Sequence, residues 1–370
     1  MTRVAARFST KPDVTNAATP ATPATRPRLA VATDTVCIDH VAPPQHDEDP
    51  ERFVAAQRGF ERSQCVDSAL RLPMRIATLE ELARAHTPQF IEQVMATRGA
   101  SGWLDPDTYY SPASAEVALR ATGAALALTE ALLDSCQQGV GLWRPPGHHS
   151  CADRALGFCL FNHVAVAARH AQQHGKQRIL VVDWDVHHGN GTQEIFESDP
   201  SVLYISVHQG PPQYPETGAP EEVGTGEGRG YTVNLPLSVG ADGSTYAAAF
   251  ERIILPIVEQ YKPELTLVSA GYDAHELDPL GGMCLLAEDY AWLTQELVQT
   301  LGGAERARLG LYMEGGYHRR ALTACVQSTL DALTTPERIA HPRASGRKLT
   351  ARHELELSRI ERVQREHWKL

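Results

Sequence analysis

Apolar runs of five to seven residues recur along this chain, bounded by polar positions, and they alternate with longer stretches where apolar residues return every three or four places. The short runs at 139–143, 179–185, 202–208, 232–237, 265–270 and 309–314 read as strands. The longer stretches near 114–136, 162–174, 244–261, 288–301 and 320–333 read as amphipathic helices. Strands that are apolar throughout, separated by helices, predict an α/β fold with one central, mostly parallel sheet covered by helices on both faces. No internal repeat and no Pro/Gly-rich linker interrupts residues 29–335, so residues 29–370 are expected to form a single domain. Its end, about 350–370, reads as a helical extension, with a charged helix at 357–368 packed on the outside. Residues 1–28 repeat Thr, Ala and Pro, a composition too poor in apolar groups to offset its ordering entropy, and predict a disordered tail.

Composition then removes several classes of function. With 42% hydrophobic residues in 370, the chain can bury a substantial core. A formal charge of −11 without a basic stripe weighs against a nucleic-acid partner. No apolar run approaches the length needed to span a membrane. The seven cysteines are odd in number, scattered and free of any Cys-x-x-Cys, which suits a reducing, cytoplasmic setting better than a disulfide framework.

Reactive groups collect where the predicted strands end, the edge at which open parallel sheets bind ligands. The run 179–182 leads into Asp183-Trp184-Asp185-Val186-His187-His188-Gly189-Asn190-Gly191. Alternate residues of a strand share a face, so Asp183, Asp185 and His187 are expected to point the same way, and the glycines permit a sharp turn. Three other strand ends lead into Arg144-Pro145-Pro146-Gly147-His148-His149, Gly271-Tyr272-Asp273-Ala274-His275 and Glu314-Gly315-Gly316-Tyr317. Taken singly, an Asp-x-His is more often a capped loop, and a lone histidine or tyrosine more often a satisfied core residue. Four such ends in one chain favour a shared site.

Asp185, His187 and Asp273 supply two carboxylates and one imidazole, a three-ligand set that leaves a position open, as catalytic metal sites do. Zinc suits these donors, and Fe(II) or Co(II) also fit. Such an ion polarises a carbonyl and lowers the pKa of bound water toward about 7. The adjacent His148 and His149 suit the taking and returning of a proton, with Asp183 and Asn190 available to orient them. Tyr317 is a poor base at neutral pH but can donate a hydrogen bond to a developing oxyanion. Phe158, after Gly157, and Tyr214, before Pro215, are candidate walls of a slot. Together these groups describe metal-assisted hydrolysis of a carbonyl centre, most simply an amide.

In this order, across about residues 29–335, the motifs resemble those of the zinc-dependent histone deacetylases and the related acetylpolyamine amidohydrolases. They are Pro145-Pro146-Gly147-His148-His149, Gly157-Phe158-Cys159, Asp183-x-Asp185-x-His187-His188-Gly189, Ser269-Ala270-Gly271-Tyr272-Asp273 and Glu314-Gly315-Gly316-Tyr317. The resemblance implies the arginase–deacetylase fold and one Zn2+, with Fe2+ as the alternative, on Asp185, His187 and Asp273. It implies His149 ahead of His148 as general base, Asp183 paired with His148, and Tyr317 on the oxyanion. Gly157, Phe158, Tyr214, Leu280 and Gly316 would bind the acyl-lysine chain, with Asp107, ahead of Asp105, at the rim. Structural potassium or sodium ions are implied at Asp183, Asp185, His187, Ser206 and Val207, and at Phe196, Asp199, Val202 and Tyr231.

Asn190 and the stretch Asp278-Pro279-Leu280-Gly281-Gly282 resemble the class II branch and its bacterial relatives. Tyr214 stands where phenylalanine is more usual, and His318 where asparagine or a small residue is commoner. The expected substrate is an acylated lysine in a protein or peptide, and the alternative is an acetylated polyamine. Leu280 stands where an acid would favour the polyamine, although Glu216, Glu276 and Asp278 remain as other sources of charge. An arginase-type ureohydrolase would need two manganese ions and further bridging carboxylates. A silent module binding acetylated ligands would lack one of the reactive groups, and none is missing.

Overall fold

Ten strands and eleven α-helices make up the computed structural model, which describes residues 29–335, 337–346 and 348–370. The tail expected at residues 1–28 lies outside the described residues. The strands are β1 Leu29–Thr33, β2 Leu70–Leu72, β3 Gly102–Trp103, β4 Tyr109–Tyr110, β5 Gln138–Leu142, β6 Ile179–Asp183, β7 Val202–Gln209, β8 Thr232–Leu237, β9 Leu265–Ala270 and β10 Leu309–Met313. The helices are α1 Pro50–Arg62, α2 Leu79–Leu82, α3 Pro88–Met95, α4 Ser114–Asp134, α5 His163–Gln173, α6 Asn190–Phe196, α7 Gly243–Ala249, α8 Leu255–Tyr261, α9 Ala287–Thr300, α10 Arg319–Thr334 and α11 Ala351–Gln364.

Eight strands form one sheet in the order β2-β1-β5-β10-β9-β6-β7-β8. Every neighbouring pair is parallel, so the sheet expected to be mostly parallel is wholly so. The side-chain period of two divides its apolar residues between two cores. Leu180 and Val182 face one core, with α1 and α7 to α11, while Ile179 and Val181 face the other, with α3 to α6. All five residues of β6 are buried, as a strand covered on both sides must be.

Where expectation and structure part, the causes are local. β1 was not legible because its run adjoins the Thr/Ala/Pro-rich stretch at 1–28, and β2 because it is three residues long with an arginine between two leucines. The helix expected at 244–261 is present as α7 and α8 joined by a π-helical turn, Phe250–Ile254. Pro256, in the first turn of α8, has no N–H to continue the α-helical ladder, and the wider turn takes up the break. The C-terminal helix begins earlier than the 357–368 reading and is less external. Leu357 and Ile360 are buried in the core beside the terminal strand β8, and Trp368 Nε1 donates to Gly230 O at 3.0 Å. No helix among the described residues is long and apolar enough to cross a membrane, and all seven cysteines are free thiols.

Candidate active site

The four strand ends singled out by their chemistry belong to β5, β10, β9 and β6, which are consecutive neighbours in the middle of the sheet. Their C-terminal ends therefore open side by side onto one crevice. β6 stops at Asp183, two residues before the predicted end at 185, because side-chain acceptors replace the ladder. Asp183 Oδ1 accepts the Asp185 N–H at 3.2 Å, and Asp185 Oδ1 accepts the His187 N–H at 2.9 Å. These successive Asx turns curl the chain. Asp183, Asp185 and His187 consequently do not all point one way, as strand alternation implied: Asp183 turns to His148, the partner expected for it, and the other two turn to Asp273.

The His187 Nδ1 atom lies 3.1 Å from Asp185 Oδ1 and 3.3 Å from Asp273 Oδ2. Ligand atoms of these three buried residues lie within 4.8 Å of one another. The remaining carboxylate oxygens are held by backbone amides, Asp185 Oδ2 by Gly315 N–H at 2.7 Å and Asp273 Oδ1 by Val186 N–H at 2.8 Å. Asp273 Oδ2 is buried without a hydrogen-bond partner. Burial and the neighbouring Asp185 charge push the Asp273 carboxyl up to about 7. An orphaned oxygen, concentrated negative charge and pre-aimed donors fit a divalent cation.

The close packing explains two glycines. A Cβ on Gly315 would stand 1.9 Å from Asp273 Oδ2, and one on Gly271 would stand 2.1 Å from Asp185 Oδ2. Gly315→Ala is therefore expected to displace the carboxylates and weaken divalent-metal affinity about 10–100-fold. Titration of the metal-free protein with zinc checks this, and parental affinity would show that the carboxylates relax around the added methyl.

His148 and His149 arrive after β5 with ring centroids 4.0 Å apart. His148 Nδ1 lies 3.0 Å from Asp183 Oδ2, and His149 Nδ1 lies 2.8 Å from Asn190 Oδ1. Burial disfavours the charged form of both rings. At His148 the Asp185 and Asp183 carboxylates outweigh burial and raise it to about 10. At His149, whose partner is a neutral amide, burial is reinforced by His148 and His187, and the ring is held well below the usual imidazole range.

A cavity of about 200 Å³ ends at these groups, lined by Asp107, His149, Gly157, Phe158, His187, Gln213, Tyr214, Leu280 and Tyr317. Eight of these nine were expected from the sequence. Gln213 was not; its Nε2 donates to Leu280 O at 2.8 Å and ties two wall segments together. Gly157 has φ +52°, and a Cβ there would meet His149 Cδ2 at 2.5 Å. The Tyr317 ring meets Phe158 edge-on at 5.8 Å, and burial keeps its phenol protonated despite the opposing pull of Arg52.

Other expected residues stand apart from the cavity. The Asp105 carboxylate accepts the N–H groups of Asp107 (2.9 Å) and Thr108 (2.5 Å), so it shapes the hairpin turn and leaves the rim to Asp107. Gly316 does not line the cavity; its carbonyl accepts Arg52 Nε at 2.8 Å. Asp278 is buried, and its carboxylate accepts the N–H groups of Tyr317 (2.7 Å), His318 (3.1 Å) and Leu280 (3.1 Å), so it is tied to the loop backbone and does not line the cavity. His318 caps α10 through its side chain. Asp183, the last residue of β6, pairs in register with Ser206 in the middle of β7, and Val207 follows. Asp199 N–H bonds Phe196 O at 2.9 Å, Val202 N–H bonds Asp199 O at 3.2 Å and Tyr204 N–H bonds Tyr231 O at 2.9 Å.

Residues 46–333 match the sequence profile of the histone deacetylase domain. The human polyamine deacetylase HDAC10 is 43% identical over 344 residues, covering 87% of this chain and 49% of that protein. Histone deacetylase 15 of Arabidopsis thaliana is 40% identical over 298 residues, covering 78% of this chain and 52% of that one. A probable deacetylase of Archaeoglobus fulgidus is 37% identical over 284 residues, covering 76% of this chain and 79% of its own. The chain thus spans about half the length of the human and plant relatives. The crystal structure of the HDA15 HD domain superposes with a TM-score of 0.85 at 35% identity, covering 92% of this chain and 96% of that one.

Proposed function

The chain belongs to the histone deacetylase family and has its arginase–deacetylase fold, and on that premise we propose that it is a zinc-dependent deacylase acting on the acylated ε-amine of lysine in proteins or peptides. The observation that carries this reading is the convergence of His149, His187 and Tyr317 at one narrow cavity walled by Phe158, Tyr214 and Leu280. Aromatic and aliphatic walls suit an unbranched methylene chain, and Asp107 at the rim can accept hydrogen bonds from a peptide backbone.

Asp185, His187 and Asp273 would hold the metal. When bound, zinc would supply Lewis-acid polarisation of the amide carbonyl and of water, and iron is the alternative ion. His149 takes the proton of the attacking water, because it lines the cavity while Asn190 fixes its Nδ1 and leaves Nε2 to accept. His148, behind it and oriented by Asp183, shares the acid–base work through which the leaving amine is protonated. Tyr317 donates its hydroxyl hydrogen to the carbonyl oxygen as negative charge develops there.

Potassium or sodium is proposed at Asp183, Asp185, His187, Ser206 and Val207, and at the turn containing Phe196, Asp199, Val202 and Tyr231. The proposed setting is the cytoplasm, in keeping with the free thiols.

Hydrolysis of acetylated polyamines is the second reading, favoured by the name of the human relative. Leu280 in the cavity wall weighs against it, since an acid there would hold the second ammonium of a polycation, while Asp107 at the rim suits either substrate. An acetyl-lysine peptide is expected to exceed acetylated putrescine or spermidine in kcat/KM by about tenfold or more, the scale of one favourable contact. A higher kcat/KM for the polyamine would transfer the assignment.

A further inference from the structure

The loop carrying His148 and His149 and the loop carrying Tyr317 are joined behind the cavity by a closed circuit of buried charged groups. Glu314 ends the β10 side, three residues before Tyr317, yet its carboxylate serves the other loop. Its Oε2 accepts the N–H groups of Gly147 at 2.5 Å and His148 at 3.1 Å, and Oε1 takes the Ser269 hydroxyl at 3.3 Å. On the far side, Arg144 donates Nε and Nη2 to the Glu48 carboxylate at 2.8 and 2.6 Å. Glu48 also accepts Arg52 Nη1 at 2.9 Å and the Tyr109 hydroxyl at 2.9 Å. Arg52 closes the circuit, donating Nε to Gly316 O at 2.8 Å and Nη2 to Glu314 O at 2.5 Å, with its guanidinium 4.6 Å from the Tyr317 ring centre.

Glu48, Arg52, Arg144 and Glu314 are each at most 1% exposed. Well-packed apolar side chains of similar volume often stabilise such a position as well or better, so stability alone does not account for four buried charged residues. Directed hydrogen bonds add what apolar packing lacks, a defined position for the backbone they hold. We propose that Glu314 and Glu48 are positioning residues that lock the loop of His148 and His149 to the loop of Tyr317. The proposal rests on the roles given above to those three residues, since neither carboxylate lines the cavity.

Misplacing reacting groups by about 1 Å can cost about 10²-fold in rate, which sets the size of the expected effect. Glu314→Gln keeps one carbonyl oxygen for the two amides, whereas Glu314→Ala removes it. The glutamine variant is expected within about fivefold of the parental kcat. The alanine variant should lose about 30–100-fold in kcat while KM and bound metal stay at parental levels. A crystal structure of Glu314→Ala should show residues 147–149 shifted relative to β5. Glu48→Gln, which keeps one acceptor where alanine risks unfolding, is expected to lower kcat about tenfold at constant KM. Parental kcat with an undisturbed loop in Glu314→Ala would overturn the proposal. Equal losses in the glutamine and alanine variants would also overturn it, since charge and not the acceptor would then be required. Should the parent hydrolyse no acylated amine, the functional reading fails, while the loop shift still reports on the tie.

Discussion

Asp273→Ala is expected to lower turnover at least about 10³-fold, because the Lewis acid contributes several kcal/mol of transition-state stabilisation and each 1.4 kcal/mol is about tenfold. The residue supplies the one buried carboxylate oxygen of the triad without a hydrogen-bond partner, and its other oxygen is spent on Val186 N–H. Truncation therefore removes a ligand and also frees a backbone amide that shapes the opposing loop. Asp273→Asn separates these effects: its carbonyl oxygen can still take the Val186 N–H, but the charge that draws the cation is gone. Both variants should bind less than about a tenth of the parental zinc, and asparagine should melt closer to the parent than alanine. Unchanged zinc content together with parental turnover in either variant would remove Asp273 from the ligand set.

Tyr317→Phe should cost about 10²–10³-fold in kcat, the scale of losing one oxyanion donor. The loss should fall on kcat with KM within about threefold, because the hydroxyl acts only once the oxygen gains charge. The ring itself is held independently of that hydroxyl, by the Phe158 edge at 5.8 Å, the Arg52 guanidinium at 4.6 Å and the Asp278 bond to its N–H at 2.7 Å. Phenylalanine can therefore occupy the same space, and zinc content should be unchanged. Near-parental kcat with phenylalanine would leave the oxyanion to another donor.

The strands that carry the site were legible because each is buried on both faces and so reads as an unbroken apolar run ending in polar groups. The sites were legible because metal ligation and proton transfer admit few side-chain types. Arg52 and Glu48 were not read, although a signal exists. Arg52 falls in register with Ala56 and Phe60 on the buried face of α1, where an arginine needs a partner, and Glu48 stands one turn before it. Gln213 left no such trace, since a loop glutamine before Tyr214 has no pattern to violate. Asp278 was read as free charge because its three backbone partners come together only in the folded loop.

Local pattern alone determined the class of fold, the order of six main strands with the helices between them, and the residue types standing at four strand ends. These follow from side-chain periodicity and from the chemistry of a few groups, both of which are short-range. The tertiary structure decided that β5, β10, β9 and β6 are neighbours, because parallel pairing joins segments far apart in the chain. It also set the directions in which Asp183 and Asp185 point, since two Asx turns broke the alternation a straight strand would keep. The same packing chose which acids face the cavity. Carboxylates of one kind, Asp107, Asp105 and Asp278, differ in burial and in the backbone amides that the fold presents to them.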